Sequence, residues 1–244
     1  MEVKVIVPSH KRWDKVVTAQ SISGIAICVP DSQADAYAAC NKNIEIITHP
    51  DSVVGLLAKR QWILDNFKGV AMIDDDIEVV RRMYVEKGEE NELEPDEAYE
   101  LIQYTAFNAK MAGAYFFGFS NSPDPRFYDS LNPIKMSGWA NGCAFGILPG
   151  SKLWYNQDIK CNCDYWISAL NGYYHRKAWI DTRFYFNQLD TFVARGGQAE
   201  FRSNLAEEAD FKILQRVFGQ NVISLRANKK NLKHQFQKSL KLPF

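Results

Sequence analysis

The chain has 244 residues, 46% of them apolar, which permits a sizeable core and excludes wholesale disorder. Its 29 Lys and Arg balance 29 Asp and Glu, so no global charge favours nucleic acid. An odd count of five cysteines, no leader ahead of the first strand and no apolar run able to span a bilayer predict a reducing, cytoplasmic setting without a membrane partner.

Apolar runs at 3–8, 25–31, 44–47 and 69–73 predict four strands, the first two closed by Pro8 and Pro30. A helix is expected over about 56–67. Strands alternating with helices at this spacing predict an α/β fold with a mostly parallel sheet. Ligands of such sheets bind beyond the carboxyl ends of the strands, where Pro8, Ser9, His10, Asp31 and Asp74 to Asp76 all fall. An acidic stretch follows, then a helix over 95–112, opened by Pro95 and stopped by Gly113. Further strands are expected at 115–119, 143–148 and 179–186, with a short helix at 164–171. Residues 121–137 read as a long loop and candidate lid. Phe211, Leu214, Val217 and Phe218 recur at helical spacing before Gly219.

Asp74, Asp75 and Asp76 carry the strongest chemical signal. Adjacent carboxylates repel, so they are tolerated when exposed or when a cation neutralises them. In extended backbone Asp74 and Asp76 point the same way and suit a hard divalent ion, Mg²⁺ or Mn²⁺. An acidic surface turn is the plain alternative. Arg60 falls inside the apolar stripe of its helix and needs an anionic partner, either an aspartate or a phosphate. Ser9, His10 and Arg12 bring hydroxyl, imidazole and cationic donors to the same crevice, as a nucleotide requires. Asp31 suits a ribose or base, or simply a turn. Asp164, flanked by Tyr165 and Trp166, fits a partly desolvated general base and equally a helix N-cap. His234, in a tail with six basic residues and no acid from Arg226 onward, is a candidate third metal ligand. Cys161 and Cys163 alone are a poor zinc signal.

Taken together, the strand into Pro8-Ser9-His10-Lys11-Arg12, the helix with Ala58-Lys59-Arg60-Gln61-Trp62 and the run Met72-Ile73-Asp74-Asp75-Asp76 resemble GT-A glycosyltransferases. The resemblance implies a GT-A type fold: a mostly parallel central sheet flanked by helices, with a smaller acceptor-side subregion. Residues 1–85 would form its nucleotide-sugar-binding half and 86–244 its acceptor-binding half. It further implies a nucleotide-sugar donor and an Asp-x-Asp metal site at Asp74 and Asp76, completed by His234. Pro8, Ser9, His10, Arg12, Asp31, Arg60, Asp74 and Asp75 would face the donor, with Asp164 as catalytic base. Members often place Glu before that base; here Cys163 stands there. More loosely, the Arg60-Gln61-Trp62 helix and Gly196-Gly197 are similar to phage enzymes that glycosylate hydroxymethylated pyrimidines in DNA. That likeness implies a UDP-sugar (glucose, or a pentose such as arabinose), 5-hydroxymethylcytosine in double-stranded DNA and the host cytoplasm. Two other readings stand beside it. A nucleotidyltransferase would normally carry a Gly-rich loop after the first strand, yet no glycine lies between Pro8 and Ser23. A non-catalytic nucleotide-binding module is compatible with the same sheet.

Overall fold

A computed structural model describes residues 2–189, 202–226 and 236–242. The four expected strands and the helix expected at about 56–67 are present, with two further helices between the strands: β1 (Lys4–Pro8), the short α1 (Thr18–Ser21), β2 (Ala26–Pro30), α2 (Ala34–Cys40), β3 (Glu45–His49), α3 (Leu56–Asn66) and β4 (Val70–Ile73). Next come β5 (Ile77–Arg82), α4 (Pro95–Met111), β6 (Phe116–Phe119), β7 (Ile134–Lys135) and β8 (Ala144–Ile147). α5 (Cys163–Tyr174), β9 (Trp179–Asp181), β10 (Phe184–Gln188), α6 (Asn204–Phe218), β11 (Ile223–Leu225) and β12 (Lys238–Leu240) complete the described chain.

Eight strands form one sheet in the order β3-β2-β1-β4-β8-β6-β9-β7. The pairs β3–β2, β2–β1, β1–β4 and β6–β9 are parallel; β8 and β7 run antiparallel to their neighbours. The sheet is therefore mostly parallel and flanked by helices, and it is continuous across residue 85.

Alternation along the strands explains the layers. Val5, Val7, Ala71 and Ile73 join one core, with Ala98, Ile102, Ala106 and Ala109 of α4. Ile6, Val70 and Met72 point the other way, onto Leu57 and Ile63 of α3, Trp166, Ile167 and Leu170 of α5, and Leu214 of α6. Both faces are covered, which is why the strands read as continuous apolar runs rather than as alternating ones. β8 approaches β6 so closely that a Cβ on Gly146 would lie 2.0 Å from the Phe117 ring. α4 begins with Pro95 behind a capping box of Glu94 and Glu97 and is followed by Gly113 at φ 72, the expected start and stop.

Three expectations need correcting. Residues 121–137 are not a loop throughout: they include a 3-10 turn (Pro125–Phe127) and edge strand β7. The Pro133 carbonyl accepts from the amide and hydroxyl of Thr182 at 2.9 and 2.7 Å, which pins the segment to β9. The expected strand at 179–186 is two strands in two sheets, because the Asp181 carboxylate accepts from Arg183 N, Nε and Nη2 and bends the chain between them. β5 escaped the sequence reading; it pairs antiparallel with β10 beside the large sheet. Among the described residues no helix is long and apolar enough to cross a membrane.

Candidate active site

Beyond the carboxyl ends of β1, β2 and β4 lies a cavity of about 1130 Å³. That exceeds the roughly 300–1,000 Å³ usual for one small ligand. Pro8, Ser9, His10, Arg12, Arg60, Asp74, Asp75, Asp76 and Asp164 all contribute to its lining, so the convergence expected from sequence is present. Asp31 is exposed in the turn after β2, and its neighbours Pro30, Ser32 and Gln33 line the cavity there. His234, Gly196 and Gly197 lie outside the described residues.

The three aspartates form the turn between β4 and β5 and differ in their partners. Asp75 turns inward, 6% exposed. It accepts from Ser9 Oγ and, at 2.7 Å, from Arg12 Nη1. Tyr37 supports this pair, its hydroxyl 2.8 Å from Ser9 Oγ and accepting from the Arg12 amide at 3.0 Å. Asp75 thus braces the loop after β1 against the loop after β4. Asp74 and Asp76 face the other way, and one side-chain amide serves both: Gln188 Nε2 donates to Asp74 Oδ2 at 3.3 Å and to Asp76 Oδ1 at 2.9 Å. Burial pushes the Asp74 carboxyl up to about 7; repulsion from Asp76 and Asp75 adds to this, and Arg60 opposes it. Asp76 is raised as well, again chiefly by burial. Each also has a cation beside it, Arg60 at 2.8 Å from Asp74 and Arg12 at 3.7 Å from Asp76, so the chain itself neutralises part of their charge.

Arg60 is 1% exposed and joins three elements. Its Nη2 donates to Asp74 Oδ1 at 2.8 Å and to the Gly142 carbonyl at 2.7 Å, and its Nη1 donates to Cys163 Sγ at 2.9 Å. The guanidinium also stacks 5.0 Å from the Phe145 ring centre. Of the two partners considered from sequence, the aspartate is the one it meets. Neighbouring Lys59 was missed by the sequence reading, because a lysine beside an arginine reads as solvated helix surface. It is 4% exposed and its ammonium donates to the carbonyls of Ser9, just past β1, and Cys28, within β2. Burial brings it down to about 8. α3 itself enters the cavity N-terminus first, through Gly55 at φ 90, with no side chain capping its free amides.

Asp164 occupies the first turn of α5, one place past the helix start; the N-cap position belongs to Asn162. It rests against Gly142, where an added Cβ would lie 3.3 Å from the Asp164 Cβ and 3.8 Å from Arg60 Nη1. Burial raises its carboxyl above the ordinary range, with the Tyr165 amide opposing. The approach to this helix is held by Asp210 of α6, which sequence reasoning also missed. Asp210 is 0% exposed and accepts from the amides of Lys160 (2.9 Å), Cys161 (2.7 Å) and Asn162 (3.0 Å), and from Asn162 Nδ2 (2.8 Å). A buried ion pair, Lys238 to Glu207 at 2.7 Å, continues the network through Asn162. Only the polar positions on α6, Glu207 and Asp210 one turn apart on an otherwise apolar face, hinted at it.

The model of a family described as TET-associated glycosyltransferases matches residues 3–197. No curated protein matches. Among solved structures, residues 1–349 of S. aureus TarS align with 91% of this chain and 73% of that one, at 10% identity and a TM-score of 0.47, a likeness that adds nothing to the assignment. The family match takes in every strand of the large sheet and the cavity residues from Pro8 to Gln188, well over half of the 244 residues, and so the chain belongs to the TET-associated glycosyltransferase family.

Proposed function

We propose that this glycosyltransferase moves a sugar from a UDP-sugar, glucose or a pentose such as arabinose, onto the hydroxymethyl group of 5-hydroxymethylcytosine in double-stranded DNA. The observation that carries this reading is the arrangement around Arg60. One guanidinium holds Asp74 on one wall of the cavity and Cys163, next to Asp164, on the other. A pair of carboxylates suited to a cation thus faces a carboxylate suited to a base. The family description supports this acceptor, since association with TET implies modified cytosine.

The residues present fit a Mn²⁺ or Mg²⁺ ion held by Asp74 and Asp76, a small carboxylate set that leaves room for donor phosphates. Such an ion would neutralise charge developing on the departing diphosphate. His234 completes that set in the proposal. The chain's own residues do the rest. Ser9, His10 and Arg12, with the Ser32-Gln33 turn beside Asp31, receive the nucleoside. The uncapped amides of α3 favour the phosphates. Arg60, which lines the cavity, and Lys59 keep Asp74 and the β1 end in place. Asp164, made more basic by burial, takes the proton of the acceptor hydroxyl. The hydroxyl oxygen then bonds to the anomeric carbon as the bond to the diphosphate oxygen breaks, inverting that centre. Five free thiols suit the reducing cytoplasm expected for the chain.

Mass spectrometry of hydroxymethylcytosine DNA and unmodified DNA, after incubation with the protein, Mn²⁺ and a panel of UDP-sugars, tests the proposal. A hexose or pentose mass gained only on the hydroxymethylated DNA is the expected result. Hydrolysis of a UDP-sugar with no gain on either DNA discards this acceptor. Asp76→Asn should lower turnover by roughly 100-fold or more, and full activity in that variant removes the metal role.

A further inference from the structure

A second concentration of chemistry lies at the other end of the large sheet. Asp74 follows the end of β4, whereas Ile147 of β8 pairs with Val70 at its start. Tyr115 before β6, Lys152 after β8 and the residues closing α5 meet at that far end. The Tyr115 and His175 rings lie 4.5 Å apart, Tyr174 and His175 6.3 Å, and Tyr173 and Tyr174 5.0 Å. The Lys152 amide donates to His175 Nε2 at 3.0 Å, and Lys177 Nζ comes within 3.8 Å of the place a Cβ would take on Gly113. Tyr173 is 74% exposed, Tyr174 43% and Tyr115 37%. Lys152, Arg176 and Lys177 are exposed as well.

The charge here is one-sided. Segments 101–123, 130–157 and 165–180, from which this face draws its residues, contain no Asp or Glu, although the whole chain is neutral. Cations at a helix C-terminus complement its dipole, which accounts for part of Arg176 and Lys177. That effect explains neither Lys152 nor three exposed tyrosine rings. Nor does it explain Arg176 at φ 62, the left-handed position after a helix where glycine is the easy choice. The amides of His175 and Arg176 both donate to the Asn171 carbonyl, so the fold holds that arginine there. The fold thus keeps an exposed charge at a position where glycine is easier.

We propose that this face grips the DNA flanking the modified base, its cations and tyrosine hydroxyls on phosphates. This rests on the DNA-acceptor reading above. α5 supplies the spacing. Asp164 in its first turn lines the cavity, and Tyr173 lies nine residues on, roughly 14 Å at 1.5 Å per residue. That is about four nucleotide steps at 3.4 Å each. A strand presenting its base to the cavity and following α5 meets the patch a few phosphates away.

The test is fluorescence anisotropy of a short labelled duplex carrying one 5-hydroxymethylcytosine, titrated at several salt concentrations without donor. The variant combines Lys152→Gln, Arg176→Gly and Lys177→Gln. Binding should weaken by roughly tenfold or more, and the slope of log affinity against log salt should shrink by about 2–3, near 0.9 per lost phosphate contact. Arg176→Gly alone should weaken binding without lowering the melting temperature, since glycine accepts that φ freely, so unfolding does not explain the loss. Transfer to the free nucleoside 5-hydroxymethyl-2′-deoxycytidine and UDP-sugar hydrolysis should be unchanged in the triple variant. Equal affinity and equal salt slope in variant and wild type overturn the proposal, even when both still modify the duplex. Patch-dependent binding by a wild type that modifies no hydroxymethylated acceptor supports the patch and sinks the acceptor reading instead.

Discussion

On one wall of the cavity the working side chains sit at the ends of β1, β2 and β4, all within residues 8–76. On the other wall Asp164 opens a helix whose approach is held by Asp210, 48 to 50 residues further along. The first wall is assembled by repetition: each parallel strand delivers its last residues to the same edge, and hydrogen bonds such as Ser9 to Asp75 only tune it. The second wall depends on a few long-range polar bonds to place one carboxylate. Arg60 is where the two walls meet. Substitutions on the first wall should therefore alter chemistry with little cost to folding, and those behind the second should disturb both.

The largest effect is expected at Asp164 itself. Asp164→Asn should cut kcat by roughly 10²–10⁴-fold, the usual contribution of a general base, with donor affinity retained. The pH profile sharpens this. Burial raises the Asp164 carboxyl, so activity is present above that raised value and lost as pH falls through it, higher than for an ordinary carboxylate. A profile of kcat/KM in which the Asn variant keeps the same acid limb assigns the limb elsewhere. Next comes Arg60→Ala, which strips both walls of their common partner. Asp74, whose side chain is 28% exposed, keeps Gln188, so losing the guanidinium's bonds to Asp74, Gly142 and Cys163 should cost about 1–3 kcal/mol in denaturant unfolding. A loss under about 1 kcal/mol, the range of a solvent-exposed pair, breaks the view that Arg60 ties the walls together.

Asp210→Asn should cost no more. The amide keeps one accepting oxygen where the carboxylate offered two, so at least one of the 160–162 amides loses its partner, at about 1–3 kcal/mol. Turnover should fall with KM for the donor unchanged, because the first wall is untouched; a raised donor KM instead argues against separate walls. The smallest effect belongs to Lys59. Burial lowers it from 10.5 to about 8, so the folded state releases its proton first. Between about pH 8 and 10 the unfolded state binds more protons, and stability gains from this residue as pH rises. Unfolding curves of wild type minus Lys59→Met should show that rise; a flat difference removes the buried ammonium from the account.

The division between the walls is also a division in what could be read beforehand. The four strands and the cluster at Asp74 to Asp76 were legible, because βα repetition writes itself as apolar runs closed by Pro8, Pro30 and acidic residues. Arg60 was legible as a misfit in an apolar stripe, though not its contacts with Gly142 and Cys163. Lys59 was not, since burial of a lysine depends on which carbonyls the strands bring under it. Gln188 was missed because it reaches Asp76 from 112 positions away, on a strand whose break after Asp181 comes from side-chain bonds to Arg183.

By itself the sequence determined the class of fold, the end of the sheet where the cavity lies and the three adjacent carboxylates that line it, since these follow from short-range periodicity and from charges adjacent in the chain. Only the tertiary structure decided that Asp75 braces a loop while Asp74 and Asp76 share Gln188, that Arg60 links Asp74 to Cys163 next to Asp164, and that Asp210 holds the start of α5. Those outcomes are fixed by which desolvated groups find partners across tens of residues, and a buried polar group takes whichever donor or acceptor the packing leaves within reach.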